Sequence, residues 1–146
     1  MYINRSGDPI GIFDSGTGGI GTLGTMMDLL PREPFIYYGD MKHAPYGTKT
    51  TEEVIALVRH VVARLEQEKI KALVMACNTA TGAAAAVLRQ EKPYPIIGME
   101  PALTPAHEAA RGGRILVLAT PLTLRQEKFR HLMELYGENA LPVPCE

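Results

Sequence analysis

The stretch Lys71-Ala72-Leu73-Val74-Met75-Ala76-Cys77-Asn78-Thr79-Ala80-Thr81 decides the fold class of this 146-residue chain. Its apolar first half reads as a buried strand. The strand ends on a thiol, an amide and two hydroxyls, and the small residues Ala80 to Ala86 continue as a helix toward Leu88 or Arg89. A strand passing into a helix through polar side chains is the βα unit of a parallel sheet, and open α/β sheets bind small molecules at the carboxyl ends of their strands. Cys77 occupies that position. Taken alone, a free cysteine more often packs as a small hydrophobe than it reacts. Here the helix N-terminus faces the thiol, and its unpaired amides and positive end favour a thiolate or a substrate carboxylate.

Working outward, the same pattern recurs. Pro9-Ile10-Gly11-Ile12-Phe13 reads as a strand that delivers Asp14-Ser15-Gly16-Thr17-Gly18-Gly19 into a helix from Gly19 to Leu30, stopped by Pro31. The glycines of that helix allow close packing on the sheet or close approach to a ligand. Phe35-Ile36-Tyr37-Tyr38 is a second strand and runs into Gly39-Asp40 and the loop Pro45-Tyr46-Gly47-Thr48. Thr50 and Glu53 form a capping-box pattern, and Val54, Val58, Val61, Val62 and Leu65 recur at helical spacing, giving a helix that should end near Lys69. Met26, Met27 and the valine stripe read as core.

Pro93-Tyr94-Pro95 breaks the chain before the short strand Ile96-Ile97-Gly98, and Met99-Glu100-Pro101 marks a boundary before another helix. Beyond it, Arg114 to Thr120 is a strong strand, and Phe129, Leu132, Met133 and Tyr136 give an amphipathic helix. Lys71–Cys77 and Arg114–Thr120 match in residue type, which suggests a repeated strand-turn-helix unit with Thr120 standing where the first copy has Cys77. Pro142-Val143-Pro144-Cys145-Glu146 reads as a proline-rich terminal stretch with none of the strand-then-polar setting of Cys77, so Cys145 is not taken as an acid/base group. Strands alternating with helices give an α/β class with an open, mainly parallel sheet flanked by helices.

Composition narrows the function classes. An apolar fraction of 46% and a charged fraction of 21% are those of a soluble globular protein. With 15 basic and 16 acidic residues there is no field to attract nucleic acid or a membrane surface. No segment approaches the ~20 apolar residues of a bilayer span, and Met1 to Asp8 lacks the apolar stretch of a signal peptide, so a cytoplasmic location is expected. In a reducing compartment the two cysteines, Cys77 and Cys145, are expected as free thiols.

Asp-Ser-Gly-Thr-Gly-Gly, Ala-Pro-Tyr-Gly and Ala-Cys-Asn-Thr-Ala each come after a strand in this order, and together with Met99-Glu100-Pro101-Ala102 and Val117-Leu118-Ala119-Thr120 they make the chain resemble the N-terminal part of the glutamate racemase family. The resemblance runs from Ile10 onward. It implies a two-domain, pseudo-symmetric fold, of which residues 1–99 form the first α/β domain and residues 100–146 the incomplete start of the second. It also implies cofactor-independent interconversion of L- and D-glutamate, supplying D-glutamate for peptidoglycan, by two opposed acid/base groups. Cys77 would be the thiol acting on the α-proton of D-glutamate, and Asp14 would assist the proton transfer. Asp14, Ser15, Tyr46, Gly47, Asn78 and Thr79 look like the residues that hold the amino acid. Their hydroxyls, amides and backbone N–H groups suit two carboxylates and developing negative charge.

Blander readings stand beside these. Asp14 can simply cap the glycine turn, Tyr46 can be an ordinary loop residue, and Thr81 can serve only to support a helix start. Gly16, Gly18 and Gly19 do not complete a dinucleotide fingerprint, and no lysine comes after them as in a P-loop. His43, His60, His107 and His131 lack metal-ligand spacing, so no metal or cofactor is assigned. The second catalytic thiol of the resembled family lies in a Cys-Thr-His motif, which is absent from this sequence. A one-thiol isomerase or decarboxylase relative and a non-catalytic binding module are therefore alternatives. Leu116, Leu118, Leu132 and Met133 are expected to expose apolar surface or to be covered by a second copy, so a homo-oligomer is an expectation.

Overall fold

A computed structural model describes residues 7–145. The reading of Met1 to Asp8 as lacking a signal-like stretch therefore falls mostly outside the described residues, as does Glu146. Four strands, β1 (Ile10–Asp14), β2 (Phe35–Gly39), β3 (Ala72–Met75) and β4 (Ile96–Gly98), form an all-parallel sheet in the order β2-β1-β3-β4. Helices α1 (Gly19–Leu29), α2 (Thr51–Glu66) and α3 (Asn78–Glu91) connect them in turn. The chain steps from β1 outward to β2 and then returns across β1 to β3, so the connections leave in opposite directions from the β1–β3 pair. That reversal opens a crevice at the carboxyl ends of β1 and β3.

Burial obeys the pleat. β1 is buried along its whole length, as a central strand covered on both faces must be. On one face Ile10, Ile12 and Val74 meet Leu23 and Met26 of α1, together with Phe35 and Tyr37. On the other, Phe13, Leu73 and Met75 meet the α2 stripe of Val54, Val58, Val61, Val62 and Leu65 and the small residues of α3. The alanines of α3 allow that helix to lie close to both the sheet and α2.

Helix boundaries differ from the sequence expectation at identifiable places. The capping box of α2 forms in full, with Glu53 N–H donating to Thr50 Oγ1 and Thr50 N–H to the Glu53 carboxylate. Those bonds pull the Glu53 carboxyl below the ordinary glutamate value. The helix stops at Glu66 rather than near Lys69, because a turn intervenes and Lys69 takes a left-handed backbone, φ 56°. α3 runs on to Glu91, beyond Arg89, whose guanidinium donates to Ile96 O at 3.0 Å. Met27 is exposed, and only Met26 of that pair packs on the sheet.

Beyond Met99 the chain forms α4 (Leu103–Ala110), β5 (Ile115–Ala119), α5 (Pro121–Arg125), α6 (Glu127–Tyr136), a 3-10 turn and β6 (Ala140–Pro144). β5 and β6 pair in parallel as a separate two-stranded sheet. The strand at β6 forms despite its two prolines. Cys145 N–H donates to Ala119 O at 2.9 Å, so with the period of two the N–H groups of residues 141 and 143 also face β5. Pro142 and Pro144, which lack an N–H, fall on the free edge, where proline is tolerated. Leu116, Leu118 and Leu141 lie exposed on this sheet, while Leu132 and Met133 are half-buried.

Two substitutions separate core from helix propensity. Leu65→Ala removes a fully buried side chain and should lower the unfolding free energy by about 2–5 kcal/mol. A Cβ at Gly24 would meet no atom within 4 Å, so Gly24→Ala should raise stability by about 0.5–1 kcal/mol by favouring the helix. Urea unfolding of the two variants checks both signs. Gly21 has the same open space, so of Gly19, Gly21 and Gly24 it is Gly19 alone that serves close packing on the sheet.

Candidate active site

Residues at and just beyond the carboxyl ends of β1 and β3 line the crevice. Phe13 pairs with Met75, and Ala76 N–H donates to Phe13 O at 2.7 Å, so Asp14 and Cys77 leave the sheet on adjacent strands. Asp14 is buried, and its Oδ2 accepts from Gly16 N–H at 3.1 Å and Gly19 N–H at 3.2 Å. The carboxylate thus holds the glycine turn and the first amide of α1. Gly19 has no alternative here, since a Cβ would stand 2.9 Å from both the Asp14 and Ala76 Cβ atoms.

Cys77 is nearly buried, with 7% of its surface exposed, and is the N-cap of α3. Its sulfur accepts from Ala80 N–H at 3.4 Å, and Ser15 Oγ stands 3.2 Å away. A helix-terminal amide thus donates to this sulfur, and a hydroxyl stands within hydrogen-bond distance of it. Asn78 opens α3 and is exposed. Thr81 donates to Met75 O at 3.2 Å and so does what the plainer reading gave it, holding the strand-to-helix turn.

Tyr46 is buried with its ring 6.1 Å from that of Phe13, and its hydroxyl donates to Asp40 Oδ2 at 2.7 Å. Burial first, then the hydrogen bond to Asp40 and the nearby negative groups, push the phenol far above the ordinary tyrosine value. Its proton is therefore committed to Asp40. The same carboxylate meets His43 Nδ1 at 2.8 Å, so Asp40 ties the loop at both ends. Gly47, which is buried, accepts from Leu122 N–H at 3.0 Å, and a Cβ on it would collide with Thr120.

Thr79 is buried, and its hydroxyl lies 2.9 Å from Thr120 Oγ1 and 3.0 Å from Thr123 Oγ1, while those two are 3.0 Å apart. Three hydroxyls in a closed ring can each donate once and accept once. Gln126 Nε2 donates to Thr79 O at 3.0 Å, and its amide fills the space a Cβ on Gly82 would take. The segment from Thr120 to Gln126 is thereby seated on the N-terminal turn of α3.

Sequence reasoning named the residues after the strands and missed those that hold them: Tyr37, Asp40, His43, Thr120, Thr123 and Gln126. The Gly39-Asp40 strand end and the Thr120 repeat position were visible signals. Nothing in the sequence pointed to Gln126. Among the described residues no group of three His, Cys, Asp or Glu side chains converges as a metal site.

Residues 25–143 match the sequence profile of the Asp/Glu/hydantoin racemase family. The chain belongs to that family. A glutamate racemase of Clostridium botulinum is 54% identical over 147 residues, covering 99% of this chain and 56% of the relative. The structure of Escherichia coli glutamate racemase, in complex with L-glutamate and the activator UDP-MurNAc-ala, superimposes with a TM-score of 0.85 at 28% identity, over 94% of this chain and 53% of that one. That of Francisella tularensis glutamate racemase in complex with D-glutamate gives 0.76 at 29% identity, over 96% and 53%. This racemase-family chain thus spans about half the length of the relatives it matches. The open parallel sheet with flanking helices expected from sequence is the fold they share over that half.

The seating of Thr120–Gln126 on α3 is open to a direct check. Gly82→Ala should cost about 1–3 kcal/mol by forcing the Gln126 amide out. In the Gly82→Ala/Gln126→Ala pair, unfolding should show a cost smaller than the sum of the single changes, because both act on one contact. Additive costs would mean that the two side chains do not share that space.

Proposed function

We propose that Cys77 is one acid/base group of a cofactor-independent glutamate racemase, taking the α-proton from D-glutamate and returning it on the same face. The observation that carries this reading is the sulfur at the β1–β3 crevice with Ser15 Oγ and Ala80 N–H both within bonding distance. A thiolate so held accepts the proton, and its two donors then stand beside the neutral thiol. Glutamate as substrate is favoured by the names of the relatives, and Asn78 and Thr79 at the start of α3 supply the donors a carboxylate requires. Asp14 acts in this reading through the turn that it fixes and through its charge near the site. Tyr46 and Gly47 contribute their backbone groups, because the Tyr46 hydroxyl is engaged with Asp40.

Racemisation requires a second group to deliver a proton on the opposite face. The sequence contains no Cys-Thr-His, and we assign that group to a part of the two-domain enzyme beyond these residues. Residues 1–99 then form the first domain, and residues 100–146 begin the second. Supply of D-glutamate for peptidoglycan, in the cytoplasm, is the role that goes with this activity; Cys77 and Cys145 as free thiols are consistent with it.

The test is incubation of each glutamate enantiomer with the chain in deuterated water, then chiral separation and mass measurement. We expect deuterium to enter D-glutamate without net formation of L-glutamate, and Cys77→Ala to reduce that exchange about 100-fold or more, the scale of a lost general base. Exchange that survives Cys77→Ala removes the thiol from the mechanism. Robust conversion of one enantiomer to the other by these residues alone would require a second base among them, with Cys145, exposed at the end of β6, the first to replace.

A further inference from the structure

Tyr37 reaches from the sheet into the turn after β1. It lies on the α1 face of β2, and its ring edge passes two positions bare of side chains: a Cβ on Gly19 would come within 3.2 Å of Cε2, and one on Gly39 within 3.3 Å of Cε1. At the far end its hydroxyl donates to Gly16 O at 3.0 Å. Gly16 N–H is already bonded to Asp14 Oδ2. Both backbone polar groups of Gly16 are therefore held, the N–H by Asp14 and the carbonyl by Tyr37. Burial, and then the negative groups at Asp14 and Cys77, raise the Tyr37 phenol above its ordinary value, so it remains a donor.

We propose that Tyr37 is a positioning residue of this site, which by holding the Gly16 carbonyl fixes the Asp14–Gly19 turn so that the Ser15 hydroxyl is presented to the Cys77 sulfur. It acts through Ser15. Without the phenol, the Gly16–Thr17 peptide loses the bond on its carbonyl, the turn relaxes about the Asp14 bonds to Gly16 and Gly19 N–H, and Ser15 Oγ loses its fixed 3.2 Å setting against Sγ. The proposal rests on the reading of Cys77 as the reactive thiol, but it is tested on thiol chemistry and not on turnover.

The experiment measures alkylation of Cys77 by iodoacetamide at pH 7, read by peptide mass spectrometry, in the full chain carrying Cys145→Ser. Tyr37→Phe keeps the ring and removes only the hydroxyl; a thermal unfolding curve controls for fold. Loosening the turn should slow alkylation in Tyr37→Phe about fivefold, and Ser15→Ala, which removes the hydroxyl beside the sulfur, should slow it by at least as much. The double variant should be no slower than Ser15→Ala, because Tyr37 acts through the serine. A purely structural tyrosine would instead give losses that multiply. Multiplying losses, an unchanged or faster rate in Tyr37→Phe, or a Ser15→Ala variant that reacts like the parent would each overturn the proposal. If exchange of the α-proton survives Cys77→Ala while this cycle comes out as expected, the catalytic reading fails and the positioning role stands.

Discussion

The parallel pairing of β1 with β3 is the constraint on which the site depends. Phe13 and Met75 are held side by side, and the two chain segments that leave them must diverge from one point. β1 feeds α1 on one face of the sheet and β3 feeds α3 on the other. Neither helix can then cover the gap between the two strand ends. The crevice is thus a product of topology, and the residues that enter it are those at the last position of each strand or within two positions beyond it. Asp14, Ser15 and Cys77 satisfy that condition by position alone.

Close approach decides how firmly they are held. Two chains of contact converge on the sulfur. One runs from Tyr37 through Gly16 to Ser15, and the other from Met75 O through Thr81 to the first turn of α3, whose Ala80 N–H meets Sγ. A third contact set, Asp40 with Tyr46 and His43, anchors the neighbouring loop. Each ends in a strand or a helix terminus rather than in a free loop, which is what a site needs if small displacements of a donor are costly. Buried hydrogen bonds of this kind contribute modestly to stability when intact, but a donor or acceptor left alone in the crevice costs about 1–3 kcal/mol. The arrangement therefore resists partial occupancy.

What could be read from the sequence was whatever depends on near neighbours along the chain. The strand at Ala72–Met75, the capping box at Thr50 and Glu53, and the valine stripe of α2 are local patterns, and the structure has them where they were expected. The polar clusters after β1 and β3 could likewise be placed at one end of the sheet, since parallel strands all end on the same side. The partners of those clusters could not be read. Tyr37 looks like an ordinary edge-strand aromatic until its ring is seen between Gly19 and Gly39, and Gln126 carries no signal until Gly82 is found beneath it. The strand at β6 is hidden for the same reason: alternating prolines look like a break, and only the register against β5 shows that they face the free edge.

The match between Lys71–Cys77 and Arg114–Thr120 has a structural counterpart that shows what the repeat preserves. In both, a residue one or two positions past the strand caps the next helix, Cys77 accepting from Ala80 N–H at 3.4 Å and Thr120 from Thr123 N–H at 3.3 Å. The i to i+3 geometry is the same, as an N-cap requires. The chemistry is not. A sulfur in that position is polarisable and able to carry negative charge, whereas a threonine hydroxyl remains neutral and joins the ring formed with Thr79 and Thr123. One cap geometry, used twice, thus places a sulfur beyond the end of β3 and a ring of mutually bonded hydroxyls at the end of β5. Thr79, next but one to the thiol, touches both. The second unit meets the first at that residue as well as at Gly47 and Gly82, so a shift of β5 relative to β3 would be felt at the first turn of the helix that the thiol caps.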